Sequence, residues 1–256
     1  MALAVHHGLD VTAHHVDHRL RPTSGVEADQ AARIAERLGA VFVLHAVEVG
    51  AGANLEARAR HARRDVLPPD AMTGHTADDQ AETVLLRLLR GSGSDGLAAM
   101  EPGPRHPILA LRRSETEALC AELGVEPVRD DSNRAGDMWR NRVRRELLPL
   151  AAQIADRDLV PILTRTADLL RDDGAFLDGL AATIDATDAR ALAAAHPVLA
   201  RRAARRWLTE AGYPPDAAGV ERVLAVAAGE AVACELAGGR RVERSRQRLR
   251  ITPPAR

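Results

Sequence analysis

The chain has no lysine. All 35 of its basic residues are arginine, and 36 Asp and Glu leave a net charge of −1. That near-balance argues against a uniformly basic nucleic-acid binder but leaves room for local patches, because steering depends on where charge sits. Together with the abundant alanine, the missing lysine reads first as genomic composition bias. Aromatic residues make up 2% of the chain, so recognition of bases by aromatic stacking platforms has almost nothing to work with. The two cysteines, Cys120 and Cys234, match no metal or redox spacing and are expected as small buried hydrophobes. No apolar run approaches the roughly 20 residues of a membrane span. Met1–Val5 offers neither a basic segment nor a long apolar stretch that would start a signal peptide, so the expected compartment is the cytoplasm, with no membrane association.

What is present fits a globular protein of one large or two small domains: 256 residues, 46% hydrophobic and 28% charged. The first half alternates β-branched runs with helical spacing. Strands are expected at Val11–Val16, Val41–Val47 and Ala71–Gly74. Helices are expected at Ser24–Leu38, stopped by Gly39, at Leu55–Leu67, closed by Pro68-Pro69, and from His75 to Arg90. Such alternation implies an α/β fold with a doubly wound parallel sheet. From about Arg140 only helical spacing remains: Asn141–Leu150, Leu159–Leu180, Pro197–Ala211 and Ala217–Ala228, before a small β-hairpin around Gly238-Gly239. The domains are therefore placed at 1–150 and 151–256, the second smaller and mainly helical.

Ligands of parallel sheets bind beyond the carboxyl ends of the strands. The clusters His14–His18 and His75–Asp79 both sit where a strand should end, which makes them neighbours in one crevice. In Gly74-His75-Thr76-Ala77-Asp78-Asp79-Gln80-Ala81-Glu82-Thr83, Thr76 and Asp79 have capping-box spacing. Asp78 and Glu82 share a helix face, where two like charges repel unless a cation joins them. An acidic start favoured by the helix dipole remains the structural alternative. Arg90-Gly91-Ser92-Gly93-Ser94 reads as a loop able to approach a ligand, or simply as a helix stop. Arginines in Trp139-Arg140-Asn141-Arg142-Val143-Arg144-Arg145 oppose the dipole at a helix start unless an anion neutralises them. A phosphate fits that need, as does pairing with Asp130, Asp131 and Asp137. Arg201, Arg202, Arg205 and Arg206 form a further patch. The histidine–aspartate clusters also leave open a two-metal hydrolase site.

Taken together, these segments resemble the tRNA(Ile)-lysidine synthase family of the PP-loop ATP pyrophosphatase superfamily. The resemblance runs through His15–Pro22, Asn54–Arg60, Gly74–Gly93, Pro107–Leu109, Asp131–Asn133 and Arg140–Arg144, and covers Val11–Leu150 most closely. The family's Ser-Gly-Gly-x-Asp-Ser loop has no counterpart in the chain. A Rossmann-like sheet without its first strand is therefore expected, with impaired adenylation and a sheet edge that invites homodimerisation. The resemblance implies an ATP-dependent ligase, with ATP and Mg²⁺ as cofactors and free lysine and the CAU-anticodon isoleucine tRNA as partners. ATP adenylates the wobble cytidine at its C2 oxygen, releasing pyrophosphate; lysine then displaces AMP to give lysidine. It implies catalytic roles for His75, Asp78, Asp79 and Glu82, and substrate binding by Arg90, Asp131, Ser132, Asn133, Arg140, Asn141 and Arg144. Asp17, His18 and Arg19 would meet the nucleotide, and Arg201, Arg202, Arg205 and Arg206 the tRNA; no metal ligand is assigned. A tRNA-binding fragment without catalysis and a metal-dependent hydrolase are the alternatives.

Overall fold

The computed structural model describes residues 1–19, 24–49, 55–126, 138–211 and 215–252. The chain divides into two compact units, Met1–Ala167 and Asp168–Arg256. In the first, a short helix α1 (Ala2–His6) precedes strand β1 (Thr12–Asp17), and helix α2 (Ser24–Arg37) leads to strand β2 (Val41–Ala46). The strands pair in parallel, Thr12 beside Val41 and Asp17 beside Ala46. Parallel neighbours need a crossover, and α2 supplies it. Its buried Ala28 and Ala35 are small enough to let the helix pack close on both strands. Gly39 ends it in a left-handed conformation, φ +74°, with its N–H on Glu36 O at 3.0 Å and that of Ala40 on Ala35 O at 2.9 Å. Glycine adopts that left-handed geometry at the least steric cost.

Helix α3 (Leu55–Val66) stops before Pro68-Pro69, and helix α4 (Ala77–Leu89) follows. The expected strand Ala71–Gly74 is not one among the described residues. The Thr73 N–H bonds instead to Arg105 O at 2.8 Å, in a turn closed by Gly103 and His106. A segment held between a proline pair and a helix cap is too short to ladder with a second strand. Beyond α4 come the single turn α5 (Ser94–Leu97) and helix α6 (Arg113–Glu122), neither of which the apolar spacing announced. Helix α7 (Met138–Arg142) then passes into a wide π turn, Val143–Leu147, and on to helix α8 (Leu148–Ala155), where a regular helix was expected. Pro149 accounts for the irregularity: it has no N–H to give, and its ring would strike a carbonyl one α-turn back. The Leu148 N–H reaches five residues back to Val143 O.

The first unit extends past Leu150 to Ala167. Val160 and Leu163, early in helix α9 (Val160–Ala181), pack with Leu148 on Ala77 and Ala81 of α4. The second unit buries an apolar core. Helix α10 (Ala189–Ala194) contributes Ala189 and Leu192, helix α11 (Pro197–Glu210) contributes Ala200, Ala203, Ala204 and Leu208, and helix α12 (Ala217–Ala228) contributes Val220, Val223 and Val226. Their spacing of three and four is the helical period. Strands β3 (Ala233–Glu235), β4 (Arg241–Ser245) and β5 (Arg248–Thr252) form an antiparallel sheet in that order, with Val242 and Leu249 turned to the same core. Gly238-Gly239 lies in the turn that joins β3 to β4, as expected; a second, tighter hairpin joins β4 to β5 at Arg246-Gln247, both left-handed at φ +47° and +66°. Two left-handed residues match the right-handed twist of the strands they join.

Candidate active site

Helix α4 builds the centre of the first unit. Asp79 Oδ2 accepts the Thr76 N–H at 2.9 Å and the Thr76 hydroxyl at 3.0 Å, so Asp79 closes the helix start as its spacing implied. Glu82, one turn on, is wholly buried. Its carboxylate accepts Arg113 Nη2 at 3.0 Å, Arg140 Nε at 3.1 Å, and Arg144 Nε and Nη2 at 2.6 and 3.0 Å. The same three arginines reach Asp79 Oδ1 at 3.0, 3.5 and 3.4 Å. Asp78 takes the Arg113 N–H at 2.7 Å and the Arg112 guanidinium at 3.2 and 3.3 Å. Arg112 also pairs with Asp158. The repulsion between Asp78 and Glu82 is thus relieved by cations, from the start of α6 and from the α7–π segment.

These contacts set the protonation states. Burial opposes ionisation of Asp79, but the Thr76 backbone and hydroxyl, with Arg113 and Arg140, outweigh it and hold the carboxyl below its ordinary range. Asp78 is likewise lowered: burial is overcome by hydrogen bonds from Arg112 and the Arg113 backbone. Both are ionised acceptors at neutral pH, and neither is a poised base. The carboxylates of α4 also do not fit a divalent cation, since each already faces guanidinium. Among the described residues no three His, Cys, Asp or Glu side chains form a metal-holding group.

His75 stands half-buried beside this cluster. Its Nδ1 lies 2.7 Å from Thr73 Oγ1, which is also 2.7 Å from His106 Nδ1. Burial lowers its pKa against the pull of Asp79, with His106, Arg140 and Arg63 acting in the same direction as burial. At the end of β1, Asp17 Oδ1 accepts the Arg19 N–H at 2.7 Å, and Arg19 is left-handed at φ +50°. His18 is lowered by burial and then by Arg63. Arg63 of α3 thus acts electrostatically on both histidine clusters. Among the described residues, the buried His18 Nδ1 and Asn141 Nδ2 have no hydrogen-bond partner, and buried polar atoms are normally satisfied.

The PP-loop domain family matches residues 1–151, and the TilS substrate-binding domain matches 188–250. The tRNA(Ile)-lysidine synthase of Nocardia farcinica is 44% identical over 230 residues, covering 82% of this chain and 71% of that protein. The enzyme of the same name from Rhodococcus jostii is 41% identical over 213 residues, covering 77% and 66%. That from Mycobacterium tuberculosis (strain H37Rv) is 38% identical over 220 residues, covering 78% and 68%. The chain belongs to the tRNA(Ile)-lysidine synthase family.

That family is one of ATP-using ligases, and its PP-loop domain is a Rossmann-like α/β fold; the parallel strands followed by a smaller helical region fit it. No helix among the described residues is long and apolar enough to cross a membrane. Of the residues singled out in the sequence, the structure gathers Asp78, Asp79, Glu82, Arg140 and Arg144 into one cluster with His75 beside it. Arg90 is not part of it: it caps the end of α4 through its backbone. Asp131, Ser132 and Asn133 lie outside the described residues. Arg112 and Arg113, which close the cluster, were missed; Leu111-Arg112-Arg113-Ser114 carries no signal beyond an ordinary exposed basic pair. In the second unit, Arg201 binds Glu221 at 2.6 Å, Arg202 binds Asp178 at 2.6 Å, Arg205 donates to Pro215 O at 3.1 Å, and Arg206 sits 3.6 Å from Glu210. The expected tRNA patch is therefore made of arginines that already have internal partners.

Proposed function

We propose that this chain supplies the site for ATP-dependent formation of lysidine on the CAU-anticodon isoleucine tRNA, through an adenylated tRNA intermediate that free lysine resolves. One observation carries the reading: Arg112, Arg113, Arg140 and Arg144 are held in place by Asp78, Asp79 and Glu82. Guanidinium forks prealigned in a partly buried site are the donors that charge developing on phosphate oxygens requires. In this reading the carboxylates orient arginines, and Arg113, Arg140 and Arg144 meet the phosphates. Asp17, His18 and Arg19, beside Arg63, meet the rest of the nucleotide. None of these roles requires Mg²⁺ on a carboxylate of α4. The functional division at about residue 150 is part of the proposal, the shorter segment 151–256 serving the tRNA. The test is AMP and pyrophosphate release from ATP, lysine and the tRNA, with Arg140→Ala expected to lower it by about two to three powers of ten. Activity unchanged by Arg140→Ala, in a variant that stays folded, would overturn the assignment.

The 256 residues contain no Ser-Gly-Gly-x-Asp-Ser run, and the chain spans 66% to 71% of the length of these relatives. A second reading is tRNA binding without nucleotide transfer, seen as affinity for the tRNA with no pyrophosphate released. In both readings, the phosphates of the tRNA are proposed to meet the hairpin arginines Arg246 and Arg250 before the internally paired arginines of α11. Replacing the two by alanine is expected to flatten the salt dependence of tRNA affinity by about one unit for each phosphate they neutralise. Arg202→Ala should lower stability and leave that slope unchanged. The opposite pattern would return the role to α11.

A further inference from the structure

The carboxylates beside His75 are committed to arginine, so an attacking ammonium must lose its proton to some other group. The Thr73 hydroxyl lies between two imidazoles and a carbonyl, 2.7 Å from His75 Nδ1, 2.7 Å from His106 Nδ1 and 3.2 Å from Arg105 O. A hydroxyl has one proton and two lone pairs. The carbonyl can only accept, and where it takes that proton both lone pairs of the hydroxyl are left for the rings. Both ring nitrogens must then donate to Oγ1, which fixes where each imidazole carries its hydrogen. The backbone of the segment is held in place, with the Thr73 N–H on Arg105 O at 2.8 Å and the His106 N–H on Gly103 O at 2.9 Å, and the two Nδ1 atoms lie 3.4 Å apart.

We propose that Thr73 and His106 are positioning residues that hold His75 as its Nδ1–H form, leaving Nε2 as the lone-pair nitrogen that accepts the proton of an incoming primary ammonium. An N–H bond of the ammonium breaks, its electron pair stays on nitrogen, and the proton moves to Nε2, giving a neutral amine and an imidazolium. The surrounding charges suit a base that is neutral at rest. Asp79 from α4 favours the imidazolium once formed; Arg63 from α3, Arg140 from α7 and His106 oppose it beforehand. A hydroxyl shared in this way fixes the tautomer and the plane of the ring together, as a carboxylate or carbonyl does for other functional histidines.

The identity of the ammonium as lysine rests on the ligase reading, whereas the tautomer can be tested without turnover. Full-length protein with ¹⁵N-labelled histidine rings would be examined at pH 8 by long-range ¹H–¹⁵N correlation, His75 being assigned by its loss in His75→Gln. The expected spectrum has His75 Nδ1 protonated and Nε2 bare, unchanged in Thr73→Ser and redistributed between the two forms in Thr73→Val. A His75 carrying its proton on Nε2, or a Thr73→Val protein with the wild-type pattern, overturns the proposal. The wild-type spectrum alone decides if Thr73→Val does not fold. Where lysidine formation is measurable, Thr73→Val should lower kcat at least tenfold with the KM for ATP unchanged, and Thr73→Ser should restore it; an unaltered kcat would remove the catalytic half while leaving the ligase reading intact.

Discussion

Glu82 shows how far one side chain can be committed. It is wholly buried and answers three guanidinium groups, so its removal leaves positive charge without a counter-ion. Breaking a buried pair from one side costs about 3–5 kcal/mol, and Glu82→Ala should destabilise the first unit by that order in a urea titration followed by circular dichroism. A loss below about 1 kcal/mol would mean that water or a neighbour takes over the arginines. Much of this constellation was legible in the sequence, because Asp78, Asp79 and Glu82 lie on one helix and an unopposed like-charge pair demands a cation. Arg140 and Arg144 were legible for the converse reason, being cations at an unfavourable helix start. The pairing between the two groups was not, because the local aspartates of 130–137 offered a nearer answer. Arg112, Arg113 and His106 gave no sign, since a basic doublet and a histidine before proline are ordinary surface composition.

At the level of elements, most helices and both parallel strands follow from period and stop signals: Gly39, the Pro68-Pro69 pair and the apolar stripe of α12 place their own boundaries. What the pattern does not carry is departure from regularity. Hydrophobic period says nothing of a turn that widens, so spacing alone predicts plain helix at Val143–Leu147 even with Pro149 just beyond it. Gly238-Gly239 marks the β3–β4 turn, whereas Arg246-Gln247 lacks the glycine or asparagine that usually marks a left-handed pair, so the second hairpin goes unannounced. The π segment carries a prediction. Arg140 lies just before it and Arg144 within it, yet both reach Glu82, so the geometry of the wide turn sets their relative aim. Pro149→Ala returns an N–H and permits an ordinary turn. In the ligase assay it should lower AMP release by about one to two powers of ten, the cost of misplacing catalytic groups by about an ångström, without lowering the melting temperature. Full activity would show that the segment is a packing accommodation alone.

The whole molecule joins a unit centred on charge to one centred on apolar side chains, and acid should separate them. His18 and His75 have lowered pKa values in the fold. They bind protons more readily when unfolded, so the first unit loses stability as pH falls below about 6.5. Asp78 and Asp79 are lowered as well; their contribution is complete above about 3.9 and is lost as pH falls through their folded values. In the second unit Asp185 is exposed and, held at about 2 by Thr187 and Arg248, is still ionised at pH 3. Hydrogen exchange between pH 7 and pH 3 should therefore show α4 opening before α11 and α12. Simultaneous opening would mean that the units unfold as one. The charged centre has a chemical consequence besides. Every cation in it is a guanidinium, inert to acylating and aldehyde reagents at neutral pH, and no lysine lies elsewhere in the chain. Acylation of amines should thus leave the fold and its arginines untouched, reaching only the chain's α-amino group and whatever small amine the solution holds. Such a chain can be labelled at a single point without any substitution, and an activated carbonyl or phosphoester formed on its surface would find no ammonium side chain of its own to capture it.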